Sequence, residues 1–289
     1  MSGASAAGGS LYDRCAQEAA ATVIAAYSTS FALACRLLGP RVRTHVRSIY
    51  ALVRVADEVV DGAAEQTGLP ASTQRLLLDE LEAETLAAVA RGFSTNLIVH
   101  AFALAARECG IGHDLVRPFF ASMRTDLTRT RHDDASHDEY VYGSAEVVGL
   151  MCLQVFVNAG RATPLAPDPG LVDGARRLGA AFQDVNFLRD RTDDENRLGR
   201  DYLGLQDGRR DRTAVLDRID ADLDAAAAAI ADLPADCRRA VTTAHGLFAE
   251  LAHRLREDDD TARVSVPTPV KATIAARALA GRPPKRSTP

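Results

Sequence analysis

Two carboxylates, a guanidinium and a phenol fall on one face of residues 47–62, a stretch that is otherwise mostly Ile, Leu, Val and Ala. In an α-helix, at about 100° per residue, these polar groups lie within roughly 60° of one another: Tyr50, Arg54, Asp57 and Asp61. The apolar residues on both flanks of this narrow face predict a buried helix. Because an unpaired buried carboxylate costs on the order of several kcal/mol, the two aspartates must face a cation, a partner or a wet cavity.

A second polar face occurs in residues 183–194, where spacings of 3, 4 and 4 bring two amides and two carboxylates together: Gln183, Asn186, Asp190 and Asp194. Carboxylates four residues apart stand roughly 6 Å apart along a helix axis. That separation suits bridging Mg²⁺ ions whose other ligands are water and substrate phosphate. One such pair alone is more simply a solvated acidic face. Two matched pairs predict a shared site for a metal and a diphosphate.

Composition excludes several other classes of protein. The 289 residues carry 39 acidic and 34 basic side chains, and the net charge of −5 gives no general attraction to nucleic acid. The five cysteines are scattered without a C-x-x-C pair, and no H-E-x-x-H, G-x-S-x-G, Walker A or G-x-G-x-x-G pattern occurs. No apolar run approaches the roughly 20 residues of a membrane span, and no signal peptide is evident. We therefore predict a cytoplasmic protein that does not bind nucleic acid.

Start and stop signals divide the chain into helices without an intervening linker. The predicted ranges are about 11–27, 30–38, 41–62, 70–91, 96–109, 114–130, 137–161, 169–194, 213–233 and 235–256. With no strand pattern, they predict an all-α fold, a single-domain helical bundle over residues 11–281 whose two acidic helices face each other across an apolar cavity. Residues 1–10 are expected to be a disordered tail and residues 282–289 a flexible one.

Local features carry further expectations. Ser30 is the expected N-cap of the second helix. The segment 129–139 is too polar to belong to the core, and its two histidines, five residues apart, do not share a helix face that could bind a metal. Gly149 leaves room for a close helix contact or for a ligand. The polar residues 195–212 follow the second acidic pair directly and are expected to form a lid.

Four segments resemble the squalene/phytoene synthase family in their motifs, order and separation: YSTSFALACRLLGP at Tyr27–Pro40, IYALVRVADEVVDG at Ile49–Gly62, EYVYGSAEVVGLM at Glu139–Met151 and QDVNFLRDRTDDENRLGRDYL at Gln183–Leu203. The resemblance spans residues 12–271, almost the whole chain. Three residues depart from the family pattern: Val53 stands where many relatives have cysteine, Glu58 where many have aspartate, and Asp184 where an apolar residue is usual. One extra residue also lies between the second acidic pair and the Gly-Arg that follows it.

The resemblance and the two polar faces together imply one candidate site. Its metal ligands are Asp57, Asp61, Asn186, Asp190 and Asp194. Its diphosphate ligands are Ser28, Ser30, Arg54, Gln183, Asn186, Arg200 and Tyr202. The four aspartates and Tyr140 are the catalytic residues, with Tyr140 facing a carbocation or taking part in proton transfer. The expected cofactor is Mg²⁺, with Mn²⁺ as a substitute.

The resemblance also implies the reaction, the head-to-head joining of two prenyl diphosphates through a cyclopropylcarbinyl diphosphate that ionises a second time. The preferred version converts two geranylgeranyl diphosphates to phytoene via prephytoene diphosphate, in carotenoid biosynthesis. The alternatives are squalene or dehydrosqualene synthesis from farnesyl diphosphate, cyclisation of one prenyl diphosphate by a terpene cyclase, and a non-catalytic helical interaction protein.

Expectations about NADPH and partners follow from the same chemistry. The absence of a dinucleotide fingerprint favours loss of a proton in the last step, so NADPH is not expected, although squalene synthases of the family use NADPH without that fingerprint. A hydrocarbon product predicts weak, peripheral contact with a membrane. Downstream isoprenoid enzymes are candidate partners for the same reason.

Overall fold

The structure of the chain, a computed structural model, describes residues 9–206, 208–257 and 264–284, apart from the side chains of Asp193, Arg197 and Leu198. These described residues form thirteen α-helices and no strand, with one isolated bridge between Arg131 and Asp201. The helices are α1 (Leu11–Tyr27), α2 (Thr29–Arg36), α3 (Pro40–Val60), α4 (Ala63–Gln66), α5 (Ala71–Arg91), α6 (Leu97–Cys109), α7 (His113–Asp126), α8 (Asp134–Val141), α9 (Val147–Asn158), α10 (Pro169–Asp193), α11 (Arg212–Ile230), α12 (Ala235–Glu257) and α13 (Thr268–Leu279). Most of the two predicted tails, residues 1–8 and 285–289, lies outside the described residues.

Helix α3 carries Asp57 and has Asp61 as its C-cap, and neighbouring helices fix both of its ends. At its start, Pro40 occupies the first turn, where a missing N–H is harmless. Arg41 donates to the Asp236 carboxylate at 2.9 Å and to two carbonyls at the end of α9, also at 2.9 Å. At the other end of α3, the Gln74 side chain donates to the Val59 carbonyl at 2.8 Å. These contacts with α5, α9 and α12 fix the position of α3, and with it the positions of Asp57 and Asp61.

The hydrophobic core has two parts that meet at a central cavity. The first contains side chains of α3, α5, α6, α7 and α9, and the fully buried Leu52, Phe102 and Phe120 belong to it. The second joins α8, α10, α11 and α12, and includes Val185 and Ile219. Both parts contribute to the cavity wall. The predicted all-α bundle around a cavity is confirmed.

Helices α9 and α10, and the π-helical turn Tyr142–Glu146 before α9, approach each other closely through glycines. A Cβ atom on Gly149 would lie 2.6 Å from the Ala175 carbonyl oxygen, and one on Gly179 would lie 2.7 Å from that of Ala145. Gly149 thus makes the close helix contact, and it also lines the cavity.

One continuous helical stretch of the described residues, Asp134–Asn158, is long and apolar enough to cross a membrane by length and composition alone. Half of its most apolar window is buried inside the bundle. Core helices of this kind pass the same test.

Some helix limits and one cap differ from the predictions. The N-cap of α2 is Ser28, whose Oγ accepts from the Phe31 N–H at 3.1 Å, while Ser30 lies inside the first turn. Helix α7 ends at Asp126, earlier than predicted, because the following segment turns away and its Thr130 carbonyl accepts a hydrogen bond from the Asp201 N–H. Helix α13 was not among the predicted ranges. Its Ile274 packs closely against Gly246 on α12, where any larger residue would collide with it.

The prediction that segment 129–139 lies outside the core was wrong for its two histidines. His132 is 4% exposed and His137 only 1%. The His132 ring stacks on that of Tyr202 with centroids 5.8 Å apart, and His137 faces the Tyr202 carbonyl at 2.9 Å. These rings are buried because the chain after the second acidic pair folds over them.

The extra residue after the second acidic pair is taken up by a π-helical turn, Asp194–Leu198, which has a wider backbone spacing than an α-helical turn. The chain then leaves the helix at Gly199, whose φ of 64° lies in the left-handed region that glycine tolerates best. The Arg200 N–H donates to the Asp194 carbonyl at 3.1 Å. The insertion therefore leaves Asp190 and Asp194 on one helical face and redirects only the chain that follows.

Candidate active site

A cavity of about 980 Å³ lies between the two parts of the core, near the upper end of the range of roughly 300–1,000 Å³ for small-molecule sites. Apart from Arg200, the predicted site residues all line it: Ser28, Ser30, Arg54, Asp57, Asp61, Tyr140, Gln183, Asn186, Asp190, Asp194 and Tyr202. The rest of the wall is mostly apolar and includes Phe31, Phe182 and Phe248. The structure thus brings together residues that are more than 150 positions apart in the chain.

The two acidic faces converge at Arg200. Its guanidinium donates to the Asp61 carboxylate at 2.6 Å, and the same side chain lines a small cleft together with Asp194. Arg200 is only 7% exposed and does not line the main cavity. In this structure it therefore contacts the first acidic pair, and its predicted contact with diphosphate stays a prediction.

Asp57 lies in an environment that disfavours its negative charge. Burial raises the pKa of its carboxyl to about 7, against the lowering effect of Arg54 and with a further increase from Asp61. Arg54 is 3.9 Å from Asp57, but Glu58 binds its guanidinium more closely. Glu58 thus takes much of the positive charge of Arg54. A cation in the cavity would supply the positive charge that Asp57 needs in order to ionise.

Two basic residues that the predicted site omitted also line the cavity, Arg189 and Lys271. Arg189 donates through Nε to the neighbouring Asp190 at 2.9 Å. Lys271, on α13, donates to the Thr29 hydroxyl at 3.4 Å. Arg189 was overlooked because the spacing argument followed the carboxylates. No local signal marks Lys271, because Thr29 is 242 residues away in the chain.

Asp126 is a further carboxyl group at the site, and it is 6% exposed. The Tyr140 hydroxyl donates to it at 2.6 Å and the Tyr202 hydroxyl at 2.9 Å, while Arg200 donates to its backbone carbonyl at 2.9 Å. Burial raises the pKa of Asp126 to about 7, although Arg200 lowers it. Burial and the nearby Asp126 also raise the pKa of both tyrosines well above 10. Both phenols therefore stay protonated at neutral pH and can donate.

Sequence reasoning could have found Asp126 by the argument applied to Asp57. Phe119, Met123 and Asp126 follow spacings of 4 and 3 on the buried face of α7. A carboxylate in line with a buried apolar face needs a partner. Its partners come from α8 and from residues 200–202, which no helical spacing connects to α7.

The predicted metal ligands fit a hard divalent cation. Four carboxylates and one side-chain amide line one cavity, and Mg²⁺ prefers oxygen ligands of this kind. A second group of candidate ligands, His45, Glu108 and Cys109, has its ligand atoms within 4.8 Å of one another. Burial raises the pKa of the Cys109 thiol to about 12, which disfavours the thiolate that a metal needs. The acidic pairs are therefore the better candidate metal centre.

A comparison with known protein families identifies the family to which the chain belongs. A family model described as squalene/phytoene synthase matches residues 24–272. The chain belongs to the squalene/phytoene synthase family. Members of this family are prenyltransferases, so the protein is an enzyme of that class. The resemblance based on four sequence motifs is confirmed.

Individual proteins that are similar to this squalene/phytoene synthase family member support the same assignment. The 15-cis-phytoene synthase of Paracoccus sp. (strain N81106 / MBIC 01143) is 32% identical to it over 251 residues, which cover 80% of this chain and 79% of that protein. The 15-cis-phytoene synthase of Pantoea ananas is 29% identical and the match covers 88% of both chains. Among solved structures, a dehydrosqualene synthase in complex with ligand is similar with a TM-score of 0.76, at 20% identity over 93% of this chain and 97% of that one. The last comparison confirms the fold.

Replacing Asp126 by asparagine is expected to change the pH dependence of stability. The pKa of this carboxyl rises from 3.8 to about 7 on folding, so the folded state holds the proton more tightly than the unfolded state. The stability it contributes is complete below about pH 4 and is lost as the pH rises through about 7. Relative to Asp126→Asn, the wild type should lose about 1.4 kcal/mol per pH unit between about pH 5 and 7.

Urea unfolding of the wild type and Asp126→Asn at pH 5, 6, 7 and 8 measures this difference. Asp57 titrates in both proteins, and Asp126 is only a minor cause of its raised pKa, so most of its contribution cancels in the comparison. A difference in unfolding free energy that does not change with pH would show that Asp126 keeps an ordinary pKa.

Proposed function

We propose that this prenyltransferase joins two geranylgeranyl diphosphates head to head to form phytoene. The observation that supports the proposal is the presence of both acidic faces, from α3 and α10, on one cavity whose other walls are apolar. A diphosphate needs cations in order to leave, and the carbocation that remains needs walls that exclude water. The phytoene synthases of Paracoccus and Pantoea ananas, similar over about four fifths or more of both chains, favour phytoene as the product.

The diphosphate is assigned to the polar part of the cavity wall. Mg²⁺, when bound, neutralises the charge of the leaving diphosphate. It would be held by Asp57, Asp61, Asn186, Asp190 and Asp194. Arg54, Arg189 and Lys271 add positive charge on the same wall. The Ser28 hydroxyl accepts the cap hydrogen bond and can still donate its own hydrogen to a phosphate oxygen, and Ser30, Gln183 and Tyr202 offer further donors.

The apolar part of the wall suits the two prenyl chains and their carbocations. Phe182 and Phe248 stack with ring centroids 3.8 Å apart, and Phe31 lies 5.7 Å from Phe248. Aromatic faces stabilise positive charge, and they keep out the water that would quench it. In the first half of the reaction one chain loses diphosphate, bonds to the other and releases a proton to close a cyclopropane. In the second half the remaining diphosphate leaves and a final proton is lost.

Tyr140 and Asp126 are assigned to proton transfer. The Tyr140 hydroxyl lines the cavity and donates to Asp126 at 2.6 Å. A proton taken up by the Tyr140 oxygen can be balanced by passing the phenolic hydrogen to Asp126. With a pKa of about 7, Asp126 is matched to general base catalysis near neutral pH. Proton loss at the last step needs no reductant, so NADPH is not part of the proposed reaction.

Incubation of the purified enzyme with farnesyl or geranylgeranyl diphosphate, followed by hydrocarbon analysis, tests the proposal. We expect phytoene from geranylgeranyl diphosphate, at a rate that NADPH does not change and that chelation of Mg²⁺ lowers at least about a hundredfold. Squalene formed only when NADPH is supplied would overturn the substrate and the product. A cyclic hydrocarbon made from a single chain would indicate a terpene cyclase. No metal-dependent product from either substrate would contradict the whole proposal.

Weak peripheral contact with a membrane is a further part of the proposal, because a C40 hydrocarbon leaves water for lipid. Enzymes that consume this product are candidate partners on the same ground. Sedimentation with anionic vesicles at low salt tests the membrane contact. Protein that stays entirely in the supernatant would contradict it.

A further inference from the structure

Residues 199–206, which we name the arginine loop, follow the second acidic pair and bring Arg200 and Tyr202 to the site. Among the described residues, two backbone hydrogen bonds hold its first part: the Asp201 N–H donates to the Thr130 carbonyl at 2.8 Å, and the Arg200 N–H donates to the Asp194 carbonyl at 3.1 Å. The loop belongs to no α-helix. The positions of Arg200 and Tyr202 therefore depend on what else contacts the loop backbone.

His137, on α8, contacts this backbone and is 1% exposed. Its Nδ1 lies 2.9 Å from the Tyr202 carbonyl oxygen, and its Nε2 lies 3.1 Å from Oδ1 of Asp184. Asp184 is also 1% exposed and lies on α10, next to Gln183 of the second polar face. His137 thus connects the arginine loop to the helix that carries the second acidic pair.

The neighbours of the two ring nitrogens define where the protons lie. A carbonyl oxygen can only accept, so Nδ1 of His137 carries the hydrogen that it donates to Tyr202. Nε2 and Asp184 Oδ1 have no other hydrogen-bond partner among the described residues, and two lone pairs at 3.1 Å would repel each other. One proton therefore lies between Nε2 and Asp184.

Stability alone does not account for this pair. A buried ion pair is often no more stabilising than apolar side chains of the same size. Neither His137 nor Asp184 lines the cavity, so neither can touch a substrate there. What the pair does contact is the carbonyl of Tyr202, two residues from the guanidinium that binds Asp61.

We propose that His137 and Asp184 are positioning residues for the arginine loop. The hydrogen bond from the His137 ring to the Tyr202 carbonyl, with the ring oriented by Asp184, keeps Arg200 on Asp61 and the Tyr202 hydroxyl on Asp126. The effect on catalysis rests on the proposed function. The restraint on the loop does not.

Two substitutions at His137 separate its two contacts. The side-chain amide of asparagine places its nitrogen near the position of Nδ1 and can donate to Tyr202, whereas that of glutamine reaches toward Asp184. The backbone amides of residues 200–206 should exchange with deuterium about tenfold faster in His137→Gln than in the wild type, the factor for a lost buried hydrogen bond. In His137→Asn they should exchange less than about threefold faster. Mass spectrometry of peptides from the full chain measures these rates.

Asp184 offers a conservative rescue. Asparagine at this position can donate its amide hydrogen to Nε2 of His137, so Asp184→Asn keeps both contacts of the ring. The amides of the arginine loop should then exchange as slowly as in the wild type. Asp184→Leu leaves Nε2 without a partner, and the loop should exchange about tenfold faster. The matched control is His245→Asn. His245 is also 1% exposed, but its Nε2 lies 2.9 Å from the Leu223 carbonyl on α11. Removing this contact should not change the rate of amide exchange in the arginine loop.

Steady-state kinetics then show whether the restraint serves the active site. His137→Gln should raise KM for geranylgeranyl diphosphate about tenfold, the factor for a lost buried hydrogen bond, and leave kcat within about threefold of the wild type. Asp184→Asn should restore KM. A purely structural defect would instead lower the amount of active enzyme, and with it kcat, at unchanged KM.

Equal loop exchange in His137→Gln and the wild type would overturn the proposal, as would equally fast exchange in His137→Asn and His137→Gln. Should His137→Gln fail to fold, the comparison of Asp184→Asn with Asp184→Leu decides in the same way, and equal exchange in those two variants overturns the proposal. A wild type that turns over no prenyl diphosphate would contradict the proposed function, while the exchange rates would still test the restraint.

Discussion

Asp57→Asn and Asp190→Asn should each lower the turnover of geranylgeranyl diphosphate at least about a hundredfold, while the helical content stays unchanged. Each substitution removes one negative charge from the cavity in which the two acidic faces meet. Losing a group that stabilises charge at the reacting centre commonly lowers kcat by roughly 10²–10³. Because burial disfavours the charge of Asp57, its asparagine variant should fold at least as well as the wild type. Steady-state kinetics and circular dichroism measure the two effects.

Asp173→Asn is the matched control for these variants. Asp173 lies on the same helix as Asp190, but its side chain is 64% exposed and only 3.7 Å from Arg177 in a surface pair. Its turnover should stay near that of the wild type. Mg²⁺ with pyrophosphate should raise the Tm of the wild type and of this control, but not of Asp57→Asn or Asp190→Asn. Near-normal turnover in either well-folded active-site variant would show that the two faces do not act on one metal cluster.

Arg200→Met should lower the free energy of unfolding by about 2–4 kcal/mol, because a buried side chain that donates to three acceptors is lost. The buried guanidinium donates to the Asp61 carboxylate, the Tyr202 hydroxyl and the Asp126 carbonyl. Methionine fills the space but leaves these acceptors without a donor. Turnover should fall at least about a hundredfold as well, because Asp61 loses the group that holds it in place. Urea unfolding and steady-state kinetics measure the two losses.

Arg200→Lys and Arg254→Met bracket this result. Lysine keeps the positive charge of Arg200 but lacks the planar guanidinium that reaches three acceptors at once. The free energy of unfolding of Arg200→Lys should therefore lie between those of the wild type and Arg200→Met. Arg254 forms a partly exposed pair with Glu250 at 2.8 Å, one helical turn away, and its removal should cost less than about 1 kcal/mol. Equal unfolding free energies for Arg200→Met and the wild type would contradict a structural role for the buried guanidinium.

Helical periodicity correctly predicted the helices that carry the acidic residues. The predicted helix 11–27 is observed as Leu11–Tyr27, and the predicted helix 169–194 as Pro169–Asp193. The spacing of Asp57 and Asp61, and that of Asp190 and Asp194, follows from backbone hydrogen bonds that join residues four apart. Local spacing was therefore sufficient to place each pair on a face. The presence of both faces on one cavity was an inference that the structure supports.

Local spacing failed where the partner of a residue is distant in the chain. Ser28 and not Ser30 caps α2, because the turn after α1 decides which serine precedes the first helical residue. His137 looked like part of a solvated segment, since its neighbours in the chain are polar and it is buried by α10 and the arginine loop, which are distant in the chain. Lys271 reaches the cavity only through the packing of α13 on α12.

By itself, the amino-acid sequence determined most of the helices, the two carboxylate faces and the family, because these depend on residue types at spacings set within a helix or a motif. Only the tertiary structure decided that Arg200 binds Asp61, 139 residues away, that Asp126 lies between two tyrosine hydroxyls, and that a buried histidine contacts the arginine loop. These contacts depend on how whole helices pack. The charges involved depend on burial, because the cost of removing a carboxylate from water is set by all the atoms around it.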